Sequence, residues 1–153
     1  MNVAATISIL NGLIRTCRDA QWLCTSWGRK AASPHLQTRL RLRGEEWSRH
    51  ADELQALVLL LGGEPATSAS LSTGLQSLWL ECRYTVLGRS DTAAIEGCES
   101  VQQFALGCYE EALAGYLPER IRQTVSLQTQ RIAERCDRPL SHVNRPANTA
   151  TDM

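Results

Sequence analysis

Apolar residues recur along this chain at three- and four-residue steps and not in strict alternation, a pattern that predicts helices and no strands. The first stretch runs from about Thr6 to Ala32, where Ile7, Leu10, Leu13, Ile14, Cys17 and Cys24 form one stripe. Ser33 suits the cap of a new helix and Pro34 its first turn, which leaves almost no loop and makes the first two helices antiparallel neighbours. The second helix is predicted from Pro34 to Leu61. It begins polar and charged and ends in the apolar block Leu54, Leu57, Val58, Leu60 and Leu61. Gly62-Gly63 stops it, since a glycine just past the last periodic residue is the usual left-handed terminator.

Glu64 to Ser70 is the one long connection. A shorter helix is predicted over Leu71 to Leu87, with Leu75, Leu78, Trp79, Cys82 and Val86, and Gly88 closes it. Ser90 caps the third long helix and Asp91 suits its positive end. Ala94, Ile95, Cys98, Val101, Ala105, Cys108, Tyr109 and Leu113 make its core stripe. Pro118 begins a fourth helix that carries Ile121, Val125, Gln128 and Ile132 to about Cys136. Past Pro139 the composition turns to Ser, Asn, Thr and Pro, with little to bury, so residues 139–153 are expected to be a disordered tail on a bundle domain of residues 1–138. Two short turns separated by a long crossover predict an all-α fold: a ferritin-like up-and-down four-helix bundle with a short crossover helix between helices 2 and 3. The alternative is an irregular five-helix array in which Leu71 to Leu87 is a full member.

A length of 153 residues with 43% hydrophobic residues fits one domain with a filled core. Sixteen basic residues balance sixteen acidic ones, so no overall field steers the chain to nucleic acid or an anionic membrane. Arg39, Arg41, Arg43 and Arg49, near Trp47, are the types that touch phosphates and stack on bases. Glu45, Glu46, Asp52 and Glu53 lie in the same segment, so the region reads as a solvated mixed-charge face and no nucleic-acid partner is expected. The longest apolar run, Leu57 to Leu61, is too short for a bilayer, and the start Met1-Asn2-Val3-Ala4-Ala5 has no basic region and no cleavable pattern, so no secretory signal is expected. A bacterial-type cytoplasmic location is the expectation.

The stretch Asn11-Gly12-Leu13-Ile14-Arg15-Thr16-Cys17-Arg18-Asp19 resembles the first helix of a bacterial ferritin-like family known only as a domain of unknown function. Glu53-Leu54-Gln55, Leu61-Gly62-Gly63-Glu64-Pro65, Ser70-Leu71-Ser72-Thr73-Gly74-Leu75 running on to Trp79, and Tyr109-Glu110-Glu111-Ala112-Leu113 before Leu117-Pro118 are similar to the same family in the same order. The resemblance spans about Ala5 to Asp137. It implies a ferritin-type bundle and no established reaction.

A di-metal centre in such a bundle needs carboxylates from all four helices and a histidine three residues after a glutamate on two of them. This sequence has no Glu-x-x-His. The second helix offers Glu46, His50 and Glu53, the third Glu96 and Glu99, and the fourth Glu134 and Asp137; the first has only Asp19 as an inward-capable acid. The resemblance places Gln102 and Gln103 where relatives often carry acids and Cys136 where they tend to carry histidine. An amide lacks the charge a divalent ion needs. No metal or cofactor is therefore expected; the alternative is iron in a partial or degenerate site built from Glu46, His50, Glu53, Glu99 and Asp137, against a plain reading of the second-helix group as a solvated or salt-bridged face.

No catalytic residue is assigned. The three histidines, His35, His50 and His142, neighbour no nucleophile elbow, and neither a phosphate-binding glycine loop nor a dinucleotide fingerprint is present. Cysteines 17, 24, 82, 98, 108 and 136 include no C-x-x-C pair and read as small core hydrophobes, with thiol redox sensing through Cys17 or Cys136 as a minor alternative. Trp22 and Trp27 are five residues apart, about 140° around a helix, so one core line cannot take both. They are the interface candidates, against packing under the crossover helix. The expectation is a non-enzymatic bundle that acts through protein–protein contacts or self-association.

Overall fold

The computed structural model describes residues 2–67 and 91–137. Within them lie four helices: α1 (Val3–Lys30), α2 (Pro34–Leu60), α3 (Asp91–Ala114) and α4 (Glu119–Asp137). The expected crossover helix over Leu71 to Leu87, with Trp79 and Cys82, and the expected tail at residues 139–153, with His142, fall outside the described residues.

Local chemistry sets the helix ends. Asn2, not Thr6, opens α1: its side chain accepts a hydrogen bond from the Ala5 amide at 3.1 Å, filling an otherwise orphaned donor of the first turn. Ala31 is extended, so the chain leaves α1 there and re-enters a helix at Pro34, with Ser33 accepting from the Leu36 amide. Gly62 ends α2 at a φ of 81°. Its amide donates to Leu59 O and that of Gly63 to Val58 O, both at 3.0 Å, which is a Schellman terminator. Gly63 is needed for a second reason. A Cβ there would lie 2.7 Å from Ile7 Cδ1, so a side chain at this position requires Ile7 or the α2 exit to shift. Asn11 fastens the same segment, donating to Glu64 O at 3.0 Å and accepting from the Ala66 amide at 2.8 Å.

The helices form a ring. α1 packs on both α2 and α3, and α3 packs on α4, while side chains of α4 reach α2 at Gln128–Glu53 and Arg135–Glu46. Pairs of contacts fix the directions: Arg18 meets Asp52 while Cys24 lies against Gly44, and Cys17 meets Tyr109 while Cys24 meets Cys98, so α2 and α3 both run against α1. Gln128 with His50, then Arg135 with Glu46, sets α4 against α2. Helices α2 and α3 are therefore parallel, as one long crossover requires. Asp91 holds the top of the bundle together. Its carboxylate accepts from the Ala32 and Ser33 amides at 2.8 and 3.0 Å, so it serves the α1–α2 turn besides sitting in the first turn of α3. Leu10, Ile14, Leu23, Leu40, Leu54, Val101, Val125 and their neighbours fill one contiguous core.

Candidate functional site

Among the described residues seven polar or charged ones are buried in this core: Thr6, Thr16, Asp19, Arg43, His50, Gln102 and Gln128. Burying such groups costs free energy unless they are hydrogen-bonded, so where they gather is the first place to seek function. Three of them, with Tyr109, fall into two tiers: Gln128 beside Tyr109, and Gln102 beside Arg43. The tiers are seven residues apart on α1 (Cys17 to Cys24), about 10 Å along the bundle.

The first tier is a directional chain. The Tyr109 hydroxyl donates to Gln128 Oε1 at 2.7 Å, so the Cys17 thiol, 3.1 Å away, donates to the hydroxyl. Gln128 Nε2 then donates to Glu53 Oε1 at 2.8 Å and to the His50 carbonyl at 3.2 Å. The chain crosses from α1 through α3 and α4 to α2, and its end carboxylate reaches solvent. Burial pushes the Cys17 thiol up to about 12 and the Tyr109 hydroxyl well above its usual range, so both stay protonated.

The second tier is charged. Arg43 is 4% exposed and donates from Nη1 to Gln102 Oε1. Burial lowers its pKa, yet a guanidinium remains a cation at neutral pH. Cys24 and Cys98 are fully buried beside it, their sulfurs 3.8 Å apart across the α1–α3 interface. At the rim, Arg135 grips Glu46 with both arms of its fork, Nε to Oε1 at 2.9 Å and Nη2 to Oε2. Burial pushes the Glu46 carboxyl up, but this grip outweighs it and holds the group below its ordinary range.

His50 stands between the tiers. It is 2% exposed, edge-on to Trp47 at 5.9 Å, and neither ring nitrogen has a hydrogen-bond partner among the described residues. Burial lowers its pKa despite the opposing charges of Glu46 and Glu53, so the ring is neutral at pH 7.

The metal candidates do not converge. Glu46 is engaged by Arg135 and Glu53 by Gln128. Asp137 is exposed, nine residues or about 14 Å along α4 from the Gln128 that touches His50. Glu99 is half-buried one turn from Gln102, at the Arg43 tier. Among the described residues no three His, Cys, Asp or Glu side chains are grouped to hold a metal ion. Instead the two tiers place two amides and a guanidinium among the helices, and a fixed cation raises the energy of a second one nearby. The donor set of the described residues does not fit a dinuclear metal centre.

Two sequence expectations need correction. Arg43 does not belong to a solvated face: it points inward while Arg41 pairs with Glu45 at the surface. His50 is likewise buried, so only part of the Glu46–His50–Glu53 group is a salt-bridged face. The tryptophans separate as their spacing requires: Trp22 is 47% exposed, whereas Trp27 is 1% exposed and offers no surface to a partner. Sequence reasoning assigned Tyr109 and Gln128 to the core stripe but missed their network. The signal was a polar residue at a core period, as Gln128 is among Ile121, Val125 and Ile132.

Comparison with solved structures finds a bacterioferritin of Rhodobacter capsulatus, described as having a metal-free dinuclear site and a heme iron. The TM-score is 0.65 and the identity 18%, over 88% of this chain and 80% of that one, a likeness of fold alone. Comparison with curated proteins finds no match. A family profile, described as domain of unknown function DUF2383, matches residues 5–115. The chain thus has the ferritin-like all-α fold and belongs to the DUF2383 family.

Proposed function

We propose that this protein is a non-enzymatic ferritin-like bundle that works by self-association. The observation that carries this reading is an apolar end. Val3 opens α1, Leu59 and Leu60 close α2, and Tyr116 lies in the α3–α4 turn, all at one end of the bundle, with exposures of 37, 64, 62 and 69%. Clustered large apolar side chains in contact with water mark interaction sites. A formal net charge of zero offers no repulsion between copies, which favours a second copy of this chain as the occupant. No described helix is long and apolar enough to cross a membrane, so a bilayer span does not account for the exposed side chains. Sedimentation or light scattering of the full chain tests the reading: assemblies larger than one chain are expected, reduced to single chains by Leu59→Asp with Tyr116→Asp. A wild-type protein that stays a single chain at high micromolar concentration would overturn it.

A second reading, iron bound through His50 with Glu46 and Glu53, draws support from the two unpartnered ring nitrogens and from the likeness to a protein with a dinuclear site. The amides and Arg43 in the core weigh against it. Metal analysis after Fe(II) addition decides: stoichiometric iron that is lost in His50→Ala would establish it over the first.

A further inference from the structure

The thiol pair of the Arg43 tier has a use that self-association does not absorb. Cys24 and Cys98 are in sulfur–sulfur contact at 3.8 Å and are not bonded. A disulfide needs about 2.05 Å, so the sulfurs must close by a little under 2 Å. Both lie on the core face of rigid helices, α1 and α3, and face each other 74 positions apart in sequence.

Close to them, on the far side of Arg43, is a cavity open to solvent that neither thiol lines. This cavity of about 270 Å³ is lined by Arg39, Leu42, Arg43, Glu46, Arg49 and Arg135. Four guanidiniums face one carboxylate there. Arg43 is the link: it lines the cavity and its positive charge acts on Cys98. The electropositive surroundings favour the thiolate, which is the nucleophile, while both sulfurs are fully buried, so a reagent reaches them only as the Arg43 side chain gives way. At about 270 Å³ the cavity has room for small molecules, since one water occupies about 30 Å³ of liquid.

The other described cysteines lack this combination. Cys17 is tied to Tyr109, and burial raises Cys108 and Cys136. Cys98 alone is lowered: the Cys24 hydrogen bond, and after it the Arg43 charge, overcome the opposing effect of burial. Cys24 is raised by the same bond and by burial, which suits it to remain a thiol until the second step.

We infer that Cys98 and Cys24 form a peroxide-reactive dithiol, in which a small hydroperoxide reaching Cys98 through the arginine-lined cavity leads to a disulfide joining α1 to α3. In the first step the Cys98 sulfur attacks the terminal peroxide oxygen. The S–O bond forms, the O–O bond breaks, and the departing oxygen takes a proton to leave as water or an alcohol. In the second step the Cys24 sulfur attacks the Cys98 sulfur. The S–S bond forms, the S–O bond breaks, and hydroxide leaves with the Cys24 proton as water. Two thiols and one hydrogen peroxide give one disulfide and two waters; two equivalents of a small thiol reverse it.

The test is peptide mapping of the intact, non-reduced chain after stoichiometric hydrogen peroxide in native buffer. A Cys24–Cys98 linked peptide is expected, lighter by two hydrogens and reversed by dithiothreitol, while Cys17, Cys108 and Cys136 stay unmodified. In Cys24→Ser, a dimedone-trapped sulfenic acid should accumulate on Cys98. In Arg43→Met, the rate should fall at least about tenfold, as expected when the thiolate fraction drops by one pKa unit. Loss of Cys108 or Cys136 before Cys98, or a linked peptide that forms only in urea, overturns the inference. Light scattering of the same samples reads self-association separately, so either proposal can fail without the other.

Discussion

At the Tyr109 tier each polar group passes its hydrogen to the next, from Cys17 through Tyr109 and Gln128, and the line ends on a solvated carboxylate. At the Arg43 tier a buried cation rests on a neutral amide, beside two thiols in contact and one ion pair at the rim. The first arrangement satisfies buried polar groups without burying charge, which makes a core specific and rigid. The second keeps a charge where an apolar side chain of the same volume would fold as well or better, since burying a cation costs more than its contacts return. A cation retained at such a cost points to chemistry, not to folding.

Arg43→Ala should show the largest effect. It removes a buried side chain and strips the Gln102 oxygen of its donor, so urea unfolding should report a loss of about 3 kcal/mol. Arg43→Met keeps the volume and discards the charge, and should cost less than about 1.5 kcal/mol. If Met costs as much as Ala, the guanidinium is structural and the contrast between the tiers collapses. Tyr109→Phe comes next. It leaves the Cys17 thiol and Gln128 oxygen without their shared partner, and about 1–2 kcal/mol should be lost. Cys17→Ala within the Tyr109→Phe background should then cost less than in the wild type, because the two groups act in one chain.

The fold was legible because periodic apolar stripes, Ser33-Pro34, Gly62-Gly63 and Pro118 each carry a local physical signal that tertiary packing did not override. The polar core was less legible. Gln102 was visible as an amide where related sequences carry acids, but that Arg43 turns inward to meet it was not. Arg43 falls among Arg39, Arg41, Glu45 and Arg49, and charge pattern alone cannot tell which of neighbouring arginines faces the core. The Cys24–Cys98 contact joins residues 74 positions apart and depends on the facing of α1 and α3, which no local period encodes. Asn11 with Glu64 is a similar case: both segments carried the family resemblance, and only the structure shows that one fastens the other.

His50 gives a smaller, pH-dependent effect between the tiers. Its folded pKa is depressed below the ordinary 6.5 by burial, while the charges of Glu46 and Glu53 act the other way and those of Arg131 and Arg49 add to the lowering. Below about pH 6.5 the unfolded chain takes up a proton that the folded chain refuses, so stability falls as pH drops, by at most about 1.4 kcal/mol per pH unit for one proton. His50→Gln should flatten unfolding curves between pH 6.5 and 5. Glu46 contributes in a different window. Its folded pKa lies below the ordinary 4.5, so its stabilisation is present above that value and lost as pH falls through the folded pKa. A slope that survives His50→Gln between pH 6.5 and 5 would show that the ring is not held neutral.

The smallest effect on folding belongs to Trp22, which stands two residues from Cys24 in sequence, at the height of the Arg43 tier, but outside the bundle. With 47% of its surface exposed, Trp22→Ala should change the unfolding free energy by no more than about 0.5 kcal/mol. Its effect on assembly should be larger in proportion, because an exposed Trp is the residue type most enriched among the anchors of interfaces. A concentration series followed by light scattering separates these outcomes. If dissociation in Trp22→Ala shifts to a protein concentration about tenfold higher, corresponding to about 1.4 kcal/mol, the side of α1 joins the apolar end in self-association. If the curve is unmoved, contact between copies is confined to the end bearing Leu59, Leu60 and Tyr116, and the outer face of the Arg43 tier stays open to solvent.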